Sequence, residues 1–287
     1  SLNRAIGPGQ MMLYGIGSMM GAGIYGLVGK AAGILGSAMW MAFLVAMVAA
    51  LLTGLSYASI ASRYPKAAGA AYATHRAYGR PWLSYVVGLA VVASGIASSA
   101  TQSKVVALNL NSLLGWQTGL SVAGVPLEII LLAVGFLMLV GAVVYRGISE
   151  SLWANTVCTL IEAGGLVLVI AVGFRFWGDT DLTQIPVTPA NPDGALTGAL
   201  LLQGAVLTFF SFLGFEDMLN VSEEVKRPER NMPIAMIGAM LIVSVLYLAV
   251  SVTAVSTVPW QELAEAPAPL RAVVARAAPW FPAVGFT

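Results

Sequence analysis

Gly15-Ile16-Gly17-Ser18-Met19-Met20-Gly21-Ala22-Gly23-Ile24-Tyr25-Gly26 is a glycine-dense break inside an apolar segment that runs from about Met11 to Ile34. Five of these twelve residues are glycine. A helix interior disfavours glycine by about 1 kcal/mol relative to alanine, so the composition does not serve helix stability. In a membrane, opened backbone is tolerated only where it faces protein or a water-filled cavity. A helix broken at membrane depth offers amide donors from one half and free carbonyls from the other, and such breaks are where secondary transporters hold substrate.

That reading requires a membrane protein, and the composition supplies one. Hydrophobic residues make up 58% of the 287 residues and charged residues only 9%, against about 25% charged in a soluble domain. The net charge of +1 gives no field for nucleic acid. Cys158 is the single cysteine and His75 the single histidine, so an intramolecular disulfide is excluded and no metal set is assembled. The first apolar run is too long for a signal peptide. Because the chain starts with Ser1 and stops at Thr287 as another apolar run begins, it is expected to be a fragment.

Hydropathy predicts seven spans, at about 10–33, 37–62, 82–112, 126–145, 151–177, 195–224 and 232–256. The third and sixth are long enough to need tilt, protrusion or an internal break. The Pro-rich stretch 257–287 reads as an extramembrane loop with one short helix at 268–277. With the N-terminus inside, nine Lys and Arg residues fall on the cytoplasmic side (Arg4, Arg63, Lys66, Arg76, Arg80, Arg146, Lys226, Arg227, Arg230). Four fall outside: Lys30, Arg175, Arg271 and Arg276. This excess predicts a cytoplasmic N-terminus and a plasma (inner) membrane protein.

Span six echoes span one. Phe209-Phe210-Ser211-Phe212-Leu213-Gly214-Phe215-Glu216-Asp217 interrupts an apolar run with a glycine and two carboxylates. The two spans are five apart, as in an inverted repeat of five-helix units. Gly21-Ala22-Gly23-Ile24-Tyr25-Gly26 formally matches a dinucleotide fingerprint, but neither the preceding strand nor the acid about 20 residues on is present. Helix packing is the competing reading, because Gly17 and Gly21, and again Gly29 and Gly33, have GxxxG spacing. The substrate-site reading is favoured because glycines also fall between the packing positions.

Four ordered blocks carry a family resemblance. Gly15, Gly17, Gly21, Gly23, Ile24 and Tyr25 match the opening helix of the amino acid–polyamine–organocation (APC) superfamily. Leu55 to Tyr72 resembles that family's second helix and first inner loop, Phe212 to Glu216 its sixth helix, and Glu223 to Pro233 the inner loop that follows. The resemblance implies an all-α membrane protein with a leucine-transporter-like five-helix inverted repeat. In this chain the repeat is incomplete, with about seven transmembrane helices and helices 1 and 6 discontinuous. The first repeat is expected over 1–177, an extracellular loop over 178–194, and the first two helices of the second repeat over 195–256. The stretch 257–287 is then an extracellular loop leading to a missing eighth helix.

The chemistry at the breaks follows from the ligand. A carboxylate suits the N-terminal amides of the outer half of span one, at Gly21, Ala22, Gly23 and Ile24. An ammonium suits carbonyls freed near Met19, Phe210 and Leu213. By resemblance these are the family's backbone contacts to its substrate. Glu162 in span five, with Glu216 and Asp217 in span six, are the coupling or gating candidates, since carboxylates at membrane depth are costly against lipid. Each also has a structural reading as a hydrogen-bonded helix element. Glu162 departs from relatives that carry Lys near this point, which puts replacement of a sodium ion by that Lys in doubt. Glu223, Glu224, Lys226 and Arg227 form either a charged helix end or an inner gate with Arg63 or Lys66.

The expected function is secondary active transport of amino acids, with no catalytic residue, metal or cofactor and with proton or sodium as the coupling ion. The expected partners are an amino acid or related amine substrate and the lipid bilayer, not nucleic acid; the oligomeric state stays open. A polyamine or organic amine exchanger shares the fold, and a non-transporting membrane sensor or partner-binding module is the alternative of another class.

Overall fold

The computed structural model describes residues 4–67, 69–146, 148–187, 191–266 and 268–280. Parts of both expected loops, 188–190 and 281–287, lie outside the described residues. Among the described residues the protein is helical apart from a hairpin of two short strands, Ser121–Val122 paired antiparallel with Val125–Pro126, and an isolated bridge between Ile6 and Val225. Among the described residues, six stretches are long and apolar enough to cross a membrane: Gly23–Arg63, Pro81–Asn111, Leu127–Arg146, Ser151–Phe176, Gly198–Glu224 and Pro228–Thr257. It is an integral membrane protein.

Six stretches stand where seven spans are expected, and the reason is local. Helix α1 covers Pro8–Met19, α2 covers Ala22–Leu35 and α3 covers Met39–Arg63. Between α2 and α3 lies only the 3₁₀ turn Gly36–Ala38, whose three residues are buried and uncharged. No polar gap separates the two helices, so they read as one apolar stretch of 41 residues. Gly36 makes the turn, with a φ of 60° that favours glycine. Its α-hydrogen faces the carbonyl of Gln184, where an added Cβ would lie 2.6 Å away.

The chain divides into two compact units, Ala70–Ala154 and the remainder, Ser1–Gly69 with Asn155–Thr287. In the smaller unit, helix α4 (Gly69–Tyr78) precedes α5 (Pro81–Leu114), which packs along α6 (Leu127–Arg146). At the start of α6, Glu128 accepts hydrogen bonds from the hydroxyl of Thr118 (2.6 Å) and its backbone N–H (3.4 Å). The hairpin loop is thereby tied to the helix it feeds. The boundary between the units falls within α7 (Ile148–Gly173).

The larger unit is built on α9 (Pro228–Thr257), which packs against α3 and α1, while α3 also packs against α8 (Gly198–Phe209). A buried stripe of small residues, Ala42, Ala46, Ala50, Gly54 and Ala58, recurs every four residues along α3. Small side chains let helix backbones approach closely where lipid supplies no hydrophobic drive. On α9 the buried set includes Met232, Met236, Met240, Val243 and Tyr247. An added Cβ at Gly54 would run into the thioether of Met240, so flexible methionine fills the groove that glycine leaves.

Outside the spans, two short helices follow α9: α10 (Trp260–Glu265) and α11 (Pro269–Ala277). The sequence expectation of one helix at 268–277 coincides with α11, while α10 is additional. These helices, not another span, meet Gly29 and Gly33 of α2. An added Cβ at Gly29 would lie 2.6 Å from the Leu263 carbonyl and 2.8 Å from Pro269. In the preceding loop, Asp181 accepts hydrogen bonds from the N–H (2.9 Å) and hydroxyl (2.6 Å) of Thr183. Those bonds hold its carboxyl below the usual carboxylate range.

The α3–α9 contact makes a direct prediction. Gly54→Leu overpacks the seam and is expected to lower unfolding stability by about 1–3 kcal/mol. Leu52→Ala, at a position 64% exposed, is expected to change it by less than about 0.5 kcal/mol. Thermal unfolding of both variants in lipid nanodiscs measures the difference.

Candidate binding site at two interrupted segments

Helix α1 ends at Met19 and α2 begins at Ala22. Met20 keeps a helical bond, donating its N–H to the Ile16 carbonyl (2.8 Å), and Gly21 turns out of the helix, donating to the Met19 carbonyl (3.0 Å). Gly21 is extended, and no side chain caps the N-terminus of α2. The leading amides of a helix have no partner within it, so Ala22, Gly23 and Ile24 present theirs at this end. The second interruption follows α8. A 3₁₀ turn at Phe210–Phe212 leads to Leu213 in extended geometry and Gly214 at φ 122°, and a further 3₁₀ segment covers Phe215–Glu224.

Glycines bring the two interruptions together. An added Cβ at Gly23 would lie 3.0 Å from the Ser211 Cα and 3.4 Å from its hydroxyl. One at Gly214 would strike the Ser18 carbonyl and lie 3.0 Å from the Met19 N–H. Each segment therefore uses one glycine to lay its backbone on the other. Two further glycines of the motif abut neighbours, Gly15 on Met218 and Ala239 and Gly17 on Thr159 and Asn155 of α7, whereas an added Cβ at Gly26 would meet nothing within 4 Å. Thr159 donates to the carbonyls of Asn155 (2.7 Å) and Leu13 (3.5 Å), joining α7 to α1.

The residues expected to touch a ligand divide by what their polar atoms already do. The Met19 carbonyl accepts from the Gly21 N–H and from the buried hydroxyl of Tyr247 on α9 (2.8 Å). A carbonyl has two lone pairs, so this one is fully used. The Phe210 carbonyl accepts from the Leu213 N–H (3.3 Å), and the Phe210 side chain is 63% exposed. Ile24 is buried and Leu213 half-buried. Sequence reasoning missed Tyr247 and Ser211. Tyr247 packs edge-on against Phe212 (centroids 5.3 Å apart) and Phe43 (6.3 Å), so one side chain ties α9 to both interrupted segments and α3. Ser211 is 1% exposed, and its hydroxyl has no hydrogen-bond partner among the described residues.

The three candidate carboxylates occupy different settings. Glu216 accepts from the Gly214 N–H (2.8 Å) and so caps the segment that follows. Asp217 is exposed and accepts from the Asn220 amide (3.5 Å). Glu162 lies on α7, half-buried, and its backbone carbonyl accepts from the hydroxyl of Tyr25 on α2 (3.4 Å). Its carboxylate makes no hydrogen bond among the described residues. Near the chain start, Glu223 pairs with Lys66 (3.3 Å) and accepts from the Ala67 N–H (3.3 Å). Ile6 bridges to Val225, donating to the Glu224 carbonyl (3.0 Å) and accepting from the Lys226 N–H (2.9 Å).

Two substitutions test the packing of the interruptions. Tyr247→Phe removes one buried hydrogen bond and is expected to cost about 1–2 kcal/mol of stability. Gly214→Ala meets both a disfavoured φ and the Ser18 carbonyl, and is expected to cost about 2 kcal/mol or more. Denaturant or thermal unfolding in nanodiscs reads both.

Comparison with known proteins agrees with this architecture. A family model described as "Amino acid permease" matches residues 9–284. The methylthioribose transporter of Bacillus subtilis (strain 168) is 32% identical over 275 residues, covering 92% of this chain and 57% of the relative. Cationic amino acid transporter 9, chloroplastic, of Arabidopsis thaliana is 30% identical over 277 residues, covering 92% and 47%. Cationic amino acid transporter 4 of Homo sapiens is 29% identical over 278 residues, covering 92% and 42%. The chain spans about half the length of these relatives. With the match running over nearly all of its residues, the chain belongs to the amino acid permease family.

Proposed function

We propose that the full-length protein is a secondary active transporter of amino acids. The observation that carries this is the mutual glycine contact, Gly23 on Ser211 and Gly214 on Ser18, between two interrupted apolar segments. In the proposed site the substrate carboxylate takes the uncapped amides of Ala22, Gly23 and Ile24. The unpartnered Ser211 hydroxyl stands beside them. For the ammonium, the Met19 carbonyl is available only if Tyr247 or Gly21 releases it, so ammonium recognition falls to Phe210 and Leu213 or awaits that release. The segments are read as helices 1 and 6 of a five-helix inverted repeat, with the N-terminus cytoplasmic in a plasma (inner) membrane.

Ion coupling is assigned to Glu162, because its carboxylate has no hydrogen-bond partner among the described residues and its helix contacts α2 at Tyr25. Glu216 is committed to the Gly214 amide and is the weaker candidate. Lys66 and Glu223 form the proposed inner gate. Relatives named for cationic amino acids favour arginine and lysine as first substrates. A relative named for methylthioribose supports a second reading, a neutral substrate at the same site.

Uptake into liposomes carrying the full-length protein tests the proposal, with labelled arginine, lysine, leucine, putrescine and methylthioribose. Amino acid uptake is expected, and Gly23→Val is expected to reduce it by more than about tenfold through lost charge-assisted contacts. Uptake unchanged in that variant places the site elsewhere. Glu162→Gln is expected to keep substrate binding while uptake no longer responds to an imposed pH gradient. Gradient-driven accumulation that survives this substitution moves the coupling to another group.

A further inference from the structure

Helices α4 and α5 meet at a corner that is fixed on both sides. Gly79, at a φ of 60°, ends α4 by donating its N–H to the His75 carbonyl (2.8 Å). Arg80 is extended, and Pro81 is the first residue of α5. Glycine just past one helix and proline just inside the next set such a corner. From it the two helices run back along each other: an added Cβ at Gly88 would lie 3.6 Å from the Ala71 side chain. The corner carries His75, Arg76, Tyr78, Arg80 and Trp82, all exposed. The Arg80 guanidinium has no ion-pair partner among the described residues.

The depth of this corner follows from α5. The apolar stretch Pro81–Asn111 has 31 residues, which at 1.5 Å each reach about 46 Å against roughly 30 Å of hydrocarbon. A tilt of 40° shortens that only to about 35 Å, so part of the stretch stands in the headgroup layer. Tyr85 and Lys104, both exposed, mark the two boundaries: the residues between them are uncharged, and they lie about 28 Å apart along the helix. Tyr78, Trp82 and Tyr85 then stand at one interface, the level that Trp and Tyr favour. Arg76 and Arg80 stand beside them at headgroup depth.

Charge narrows the partner. Between Ala70 and Gly147 the only acidic residue is Glu128, and Thr118 holds it at the opposite end of the α5–α6 pair. Neither α4 nor α5 contains a carboxylate. An arginine offers a planar fork that matches two phosphate oxygens, and basic residues next to a membrane helix attract anionic lipid. We propose that the α4–α5 corner binds the headgroup of an anionic phospholipid. The Arg80 guanidinium takes the phosphate, Arg76 adds to the positive field, and Trp82 and Tyr85 lie against the glycerol and upper acyl chain. The interfacial depth and the exposed rings favour a lipid over an acidic protein. The inference is independent of what the central site carries, because it shares no residue with it.

Quenching of Trp82 fluorescence by lipids brominated near the headgroup tests this, with full-length protein in phosphatidylcholine vesicles. The signal lost on Trp82→Phe, made in each background, isolates that ring. Half-maximal quenching is expected at a mole fraction of brominated phosphatidylglycerol about fivefold lower than of brominated phosphatidylcholine, the effect of one well-placed basic residue. Arg80→Gln alone is expected to reduce that difference about twofold or more. Adding Arg76→Gln is expected to abolish it while brominated phosphatidylcholine still quenches. Arg271→Gln, at an exposed position of α11, is expected to leave it unchanged. Thermal unfolding of each variant confirms that the fold is retained. Inorganic phosphate in place of chloride, at matched ionic strength, is expected to change nothing; loss of the preference there identifies a site for free anions and overturns the proposal. Equal quenching by the two lipids also overturns it, as does a preference that survives the double substitution or falls equally in Arg271→Gln. Quenching by neither lipid overturns it too, because the corner then lies away from the headgroup layer.

Discussion

Buried backbone that leaves a helix must find its hydrogen bonds in protein, and the packing around the two interruptions depends on that constraint. The chain interrupts two segments and lays them against one another. Gly23 and Gly214 remove the side chains that would hold the backbones apart. The freed Met19 carbonyl is taken by Tyr247 from α9 and by the Gly21 amide. Glu216 takes the amide of Gly214. The N-terminus of α2 has no side-chain cap, and the Ser211 hydroxyl has no partner among the described residues.

Helix α9 is the element against which this arrangement is held. It meets the small-residue stripe of α3 through methionines, and it delivers Tyr247 between Phe43 and Phe212. Membrane helices gain little from excluding lipid, so they associate through close packing and buried hydrogen bonds. Both occur on α9. The Ile6–Val225 bridge joins the segment that precedes α1, and the Lys66–Glu223 pair the loop that follows α3, to the segment after the second interruption. Any motion that separates the two interrupted segments has to contend with these contacts as well.

Glycine spacing in the opening motif admitted two readings, helix packing and a binding site, and in the structure these glycines meet different neighbours at different positions. Gly15 and Gly17 serve packing against Met218 and Thr159, and Gly29 receives Leu263 from α10. Gly23 instead meets the backbone of the second interruption. The GxxxG pair at Gly29 and Gly33 is met by a short helix outside the spans, not by another membrane helix. Spacing alone does not distinguish these partners, because it reports only that a face is small.

The sequence by itself determined the all-α membrane class and the apolar segments. Those features are local: hydropathy, glycine content and charge act within one segment. It also separated α2 from α3, since the break between the spans expected at 10–33 and 37–62 falls beside the turn at Gly36–Ala38. Only the tertiary structure decided which carbonyls are free. Met19 was read as a ligand contact from its place at a helix end, yet its lone pairs go to Gly21 and to Tyr247, 228 residues away in the chain. Nor could local pattern single out Ser211, since a buried polar atom is identified as unpartnered only when every neighbour is in place. Hydrogen-bond satisfaction is a property of the packed chain, and the groups left unsatisfied become visible only there.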